Sequence, residues 1–168
     1  ILTCPRSSIR IKLCIMPENG MRHHREKVVC MTMGFAHRGF SGLYPENTML
    51  AFEKALETGC EGMEFDVHLS ADGVPVIIHD ELLDRTTNGT GLVHDHTLAQ
   101  LRELDAAFGP HARYGPQRIP TLREYFELIR GRDILTNIEL KTGILWYEGV
   151  EEKTLALIAV EYALPSVK

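Results

Sequence analysis

Three apolar segments of strand length, each meeting charged residues and each followed by a helix-forming segment, constrain this chain more than any other feature. Residues 28–36 run into His37-Arg38, residues 62–69 carry Glu64 and Asp66, and residues 134–140 carry Glu139 and run into Lys141. Pro45-Glu46-Asn47-Thr48 opens a helix to about Glu57 that Gly59 ends, and Pro120-Thr121 opens another to about Ile129. A third helix, residues 151–164, follows the last strand and stops at Pro165. Strands alternating with helices mean a parallel sheet with crossover helices, because parallel neighbours cannot be joined by a tight turn. That leaves an open doubly wound sheet or a barrel. No Gly-x-Gly-x-x-Gly or Walker-type loop follows the first strand, which disfavours a nucleotide-binding open sheet.

Residues 70–118 break the alternation. Ala71-Asp72-Gly73 is a turn, residues 74–78 return as a short strand, and residues 80–118 are rich in Gly, Thr, His and Asp with one short helix at about 98–104. Residues 1–27 alternate weakly through Ile9, Ile11, Leu13 and Ile15, with Arg10 and Lys12 between them, and then turn polar and basic. They have neither a pattern that would bury a face nor the uninterrupted apolar region of a secretory signal, so they read as an extension ahead of a domain at 28–168. Met16, Met21 and Met33 are each candidates for a natural start, and both ends of the chain are expected to be artificial.

The charge balance, 18 basic against 23 acidic residues for a net −5, argues against nucleic-acid binding by bulk electrostatics. No apolar run approaches the roughly 18 residues of a membrane-spanning helix, so no stable membrane insertion is expected. Cys4, Cys14, Cys30 and Cys60 form no Cys-x-x-Cys pair and no zinc spacing with His23 or His24. They read as free thiols in a reducing, cytoplasmic setting.

The chemistry lies at the strand ends, where α/β barrels and open sheets place their sites. Glu64 and Asp66, two apart on a strand, share one face, while Met63, Phe65 and Val67 take the other and pack under helices. Glu139 offers a third carboxylate at the matching level. Three such acids repel unless a cation joins them, and hard oxygen ligands without cysteine suit Mg²⁺ or Ca²⁺ better than zinc. His37 and His79 are the candidate acid and base, and a return strand turning at Asp72-Gly73 brings His79 beside Phe65 or Asp66. His68 shares the face of Glu64 and Asp66 as a supporting group. Arg38 and Lys141 are cations in reach of an anionic substrate. An acid–base pair, a hard metal and two cations suit phosphoryl chemistry.

Ala36-His37-Arg38-Gly39, Pro45-Glu46-Asn47-Thr48 and Ala51-Phe52 closely resemble the opening signature of glycerophosphodiester phosphodiesterases. Glu64-Phe65-Asp66-Val67, Asp72-Gly73, His79-Asp80, Leu83, Arg85-Thr86-Thr87, Gly89, Gly91 and Glu139-Leu140-Lys141 continue it in order, across residues 36–141. The resemblance implies the N-terminal part of a (β/α)8 TIM-type barrel with a small insertion after the second strand, at about residues 70–118. It implies hydrolysis of a small-molecule glycerophosphodiester to glycerol 3-phosphate and an alcohol, with one bound Mg²⁺ or Ca²⁺. By matching positions it makes His37 and His79 the general acid–base pair, Glu64, Asp66 and Glu139 the metal ligands, and Arg38 and Lys141 the phosphate contacts. Glu46 and Asn47 would hold the first loop and the helix start.

A full barrel needs about 250 residues, so the chain reads as C-terminally truncated. A related phospholipase D-type enzyme (lysophospholipase D or sphingomyelinase D) and an inactive fragment acting as a binding protein are the competing readings. Truncation also predicts an unpaired edge at residues 134–140, with marginal stability and self-association through that edge.

Overall fold

The computed structural model describes residues 11–15, 33–142 and 147–162. In chain order the strands are β1 (Ile11–Ile15), β2 (Phe35–His37), β3 (Gly62–Leu69), β4 (Pro75–Ile77) and β5 (Leu135–Leu140). The helices are α1 (Met49–Glu57), α2 (Leu98–Leu101), α3 (Leu122–Ile129) and α4 (Val150–Tyr162), with 3₁₀ turns at Val93–Asp95 and Gly109–Tyr114.

Local chemistry starts the helices where the sequence predicts. The Thr48 hydroxyl accepts from the Ala51 amide at the head of α1, and Thr121 and Glu124 form a reciprocal capping box on α3. Gly39 is required where the first loop passes α1, since a Cβ there would lie 2.8 Å from the Ala51 carbonyl carbon and its φ is +74°.

The sheet order is β1-β5-β3-β2, with β4 also paired to β3. β3 is parallel to β2 and to β5, and all eight of its residues are buried, as a central strand covered on both faces must be. β4 runs antiparallel to the end of β3, with Val67 opposite Ile77 and Leu69 opposite Pro75. Met63, Phe65 and Val67 pack outward against Phe52 of α1, Leu122, Tyr125 and Phe126 of α3, and Val150 of α4. Phe52, Phe65 and Tyr125 form a tight aromatic cluster, the last two with centroids 4.3 Å apart. A second, smaller cluster joins Val76, Ile78, Leu83, Val93, Leu101 and Ile119.

Several elements differ from the sequence expectation. The first strand covers Phe35–His37, while residues 28–32 lie outside the described residues. The short helix ends at Leu101, not near 104, and the last described helix begins at Val150; Pro165 lies outside the described residues. Cys60 is a free, half-buried thiol, and the side chains of Cys4, Cys14 and Cys30 lie outside the described residues.

The largest correction concerns the edge of β5. The expected bare edge of β5 is overturned: β1 pairs antiparallel along the whole of β5's Thr136–Leu140 stretch, with Leu13 opposite Ile138. Residues 11–15 belong to the expected extension, whose weak alternation hides a strand. Edge pairing is made by backbone groups, and an open edge needs partners for its N–H and C=O groups more than it needs a particular side-chain pattern. Leu13→Pro removes a ladder donor and disrupts this pairing. The variant is expected to uncover β5 and to self-associate more than the parent chain, seen as added heavier species in sedimentation velocity.

Candidate active site

All seven predicted site residues meet at the C-terminal end of the parallel strands. Glu64 pairs in register with His37, and Asp66 with Glu139. Strand alternation therefore aims Glu64, Asp66 and Glu139 to one face, and one carboxylate oxygen from each lies within 4.8 Å of the others. All three residues are buried. Lys141, just past β5, donates to Asp66 and to Glu139, each at 2.9 Å. Burial opposes its charge, but those two carboxylates outweigh burial and hold its pKa above the usual lysine value.

The first loop brings the remaining charges. Arg38 (φ 56°) and Asn47 (φ 55°) both have left-handed backbone, a conformation costing a non-glycine residue roughly 1–2 kcal/mol. The Asn47 amide N–H donates to the Arg38 carbonyl at 3.0 Å and closes the loop. In this conformation Asn47 Nδ2 donates to Asp66 Oδ2 (3.1 Å), the Arg38 amide donates to Glu64 (3.3 Å), and the Arg38 guanidinium donates to Glu46 (3.0 Å). His37 Nε2 stands 3.8 Å from Glu64 Oε2 and is largely exposed.

His79 follows β4, whose pairing continues through the Ile78 amide to the Asp66 carbonyl (3.1 Å). This agrees with the register expected from the turn at Asp72-Gly73. His79 Nδ1 is hydrogen-bonded to Asp80 (2.5 Å), Arg85 donates to Asp80 (2.6 Å), and Arg85 also donates to Glu46 (2.7 Å). The Arg85 guanidinium, ahead of the contact with His79, holds the Asp80 carboxyl down to about 2, so Asp80 is an acceptor and His79 Nδ1 carries the proton. Glu46 is also held below its ordinary value: burial would raise it, but Arg85 and Arg38 outweigh burial.

These depressed carboxyls predict a pH dependence. Their contribution to stability is present above the unfolded carboxyl pKa of about 4 and is lost as the pH falls toward 2. Arg85→Gln should cost about 1 kcal/mol or less at neutral pH, given the exposure of Arg85. The gap to wild type should close between about pH 4 and pH 2, read by urea unfolding across that range.

The site suits a divalent cation by its donors. Glu64, Asp66 and Glu139 bring three buried carboxylates to one place, and Glu46 and Asp80 are bridged by Arg38 and Arg85 beside them. The Asn47 side-chain oxygen, beside Asp66, is buried without a hydrogen-bond partner among the described residues, a further oxygen donor at the same place.

The family model for the glycerophosphoryl diester phosphodiesterase family matches residues 37–161. The chain belongs to that family. A glycerophosphodiester phosphodiesterase of Caldanaerobacter subterraneus subsp. tengcongensis is 51% identical over 127 residues, covering 76% of this chain and 52% of that protein. One from Bacillus altitudinis is 52% identical over 124 residues, covering 73% of this chain and 51% of the relative. Among solved structures, the glycerophosphodiester phosphodiesterase of Agrobacterium tumefaciens superposes with TM-score 0.70 at 40% identity, covering 78% of this chain and 54% of that one. An Oleispira antarctica phosphodiesterase in complex with the product sn-glycerol-3-phosphate gives TM-score 0.67 at 40% identity, covering 82% and 55%. The chain spans about half the length of the curated relatives it matches. The α/β fold with its parallel strands is thus a partial barrel.

Three features of this family member's site escape sequence reasoning. The first is Asn47 as a donor to Asp66, where the resemblance implied only a role in holding the first loop and the helix start. The second is the Glu46–Arg85–Asp80 bridge, which spans 39 residues of sequence. The third is Tyr147, whose hydroxyl meets His68 Nδ1 at 2.9 Å while His68 Nε2 meets the His79 carbonyl at 3.1 Å. Burial holds the His68 pKa below the ordinary imidazole value, despite the His79 carbonyl and nearby acids. Glu46, Asn47, Asp80 and Arg85 stand within the family motif, which marks the positions but not these contacts; Tyr147 stands outside it.

Proposed function

We propose that this protein is a divalent-metal-dependent phosphodiesterase that hydrolyses a small glycerophosphodiester to glycerol 3-phosphate and an alcohol. The observation that carries the reading is the convergence of Glu64, Asp66 and Glu139 within 4.8 Å at the strand ends where His37 and His79 also stand. Glu64, Asp66 and Glu139 would hold the ion, Mg²⁺ or Ca²⁺. When bound, it would supply Lewis-acid stabilisation of charge on the phosphoryl oxygens.

Asp80 keeps the proton of His79 on Nδ1 and leaves Nε2 with a lone pair, the arrangement of an oriented base. In this reading His79 Nε2 takes the proton of the substrate's free glycerol hydroxyl as its oxygen attacks phosphorus. His37, at the exposed end of β2, gives a proton to the departing alcohol oxygen. Water then opens the cyclic phosphate, His37 taking its proton and His79 returning one to the glycerol oxygen. Arg38 and Lys141 offset charge on the non-bridging oxygens. Arg38 Nε is buried without a hydrogen-bond partner among the described residues, which leaves a donor for an anion.

The test is hydrolysis of glycerophosphocholine followed by enzymatic detection of sn-glycerol 3-phosphate. Release of phosphocholine instead, or selective turnover of lysophosphatidylcholine or sphingomyelin, would overturn the substrate assignment. A reducing, cytoplasmic location belongs to the same proposal and is supported by the free Cys60 thiol. Among the described residues no helix is long and apolar enough to cross a membrane.

A further inference from the structure

His68 is fully buried on the face of β3 that carries Glu64 and Asp66, yet its ring nitrogens are directed to other partners. A carbonyl oxygen only accepts, so Nε2 carries the ring proton and donates it to the His79 carbonyl. The ring is fully buried and its two nitrogens meet a hydroxyl and a carbonyl, not a carboxylate, so Nδ1 is the acceptor of a neutral ring and the Tyr147 hydroxyl donates to it. The hydrogen bonds run one way, from Tyr147 through His68 to the His79 carbonyl. Tyr147 is 2% exposed, and its ring meets His68 edge-on at 5.5 Å and His94 at 5.6 Å, so it has little freedom to turn away.

The carbonyl that His68 holds belongs to the peptide joining His79 to Asp80. The preceding residue, Ile78, is bonded to the Asp66 carbonyl on the same strand that carries His68. The His79 ring is bonded to Asp80. Rotation of the 79–80 peptide would therefore carry Asp80 away from the ring it orients. Burying an imidazole and a phenol costs more than burying leucine and phenylalanine unless their polar atoms are satisfied. Here that satisfaction falls on the backbone of His79.

We propose that Tyr147 and His68 are positioning residues for His79, fixing the peptide between His79 and Asp80 and through it the aim of the His79 ring. This rests on the acid–base reading of His79, and the experiment separates the two. His68→Leu and Tyr147→Phe are expected to lower kcat by about ten- to a hundredfold, the scale of a misplaced reacting group. KM and metal affinity should be unchanged. His68→Gln, whose amide can still donate to the carbonyl, should recover most of the loss. The double variant should be no worse than His68→Leu alone, because both act in one chain of contacts.

The readout independent of turnover is a long-range ¹H–¹⁵N spectrum of the whole chain. Wild type should show His68 with its proton on Nε2 and His79 with its proton on Nδ1. The His79 pattern should move in Tyr147→Phe, which keeps the ring packing and decides the matter even where His68→Leu does not fold. An unchanged His79 pattern in Tyr147→Phe, or a wild-type His68 proton on Nδ1, would overturn the proposal. A moved pattern in a chain without hydrolysis would leave the positioning role standing and refute the proposed activity.

Discussion

Asp66→Ala is expected to abolish metal-supported hydrolysis and to weaken binding of Mg²⁺ or Ca²⁺ by more than about a hundredfold, since even partners outside the ligand shell are worth about 10–100-fold. Asp66 is held from several sides. It accepts from Asn47 and Lys141, lies 3.6 Å from Arg38, and sits opposite Glu139 in the sheet. Two carboxylate charges at 4.8 Å repel by about 3–4 kcal/mol at an effective dielectric constant near 20. Removing one of the three therefore removes both a ligand and much of the reason for a cation to bind. Titration calorimetry with each ion, beside turnover measured with and without EDTA, checks this. Full turnover in EDTA by a metal-free chain would refute metal dependence.

His37→Ala and His79→Ala are each expected to cut turnover by about 10²- to 10⁴-fold, the usual scale for a lost general acid or base, or about 3–5 kcal/mol of barrier. Metal affinity should survive both, because neither ring belongs to the carboxylate triad. The two losses should differ in recovery. His37 is largely exposed, whereas His79 is tied to Asp80 within a bridge through Arg85 and Glu46. Added imidazole should therefore restore more activity to His37→Ala than to His79→Ala. Near-normal kcat in either alanine variant would remove that residue from the acid–base pair.

The residues that converge here were legible in the sequence because each obeys a local rule. Glu64 and Asp66 share a face by strand alternation, Glu139 and Lys141 follow the next parallel strand, and Asp72-Gly73 sets the return that carries His79 to β3. Thr48 and Thr121 mark helix starts by their own hydroxyls. Strand and helix alternation then implies parallel pairing, and parallel pairing gathers the strand ends. The sequence by itself thus determined the fold class, the carboxylate triad, the two histidines and the two cations.

Tertiary structure alone decided what depends on the path of the chain in space. Arg85 reaches Glu46 across 39 residues, and Tyr147 reaches His68 across 79. Both contacts satisfy buried or half-buried polar groups, whose partners are chosen by proximity after folding and not by spacing in sequence. The covering of β5 by Ile11–Ile15 is of the same kind. A strand edge is completed through main-chain N–H and C=O groups that every non-proline residue carries, so side-chain patterning need not reveal which segment completes it.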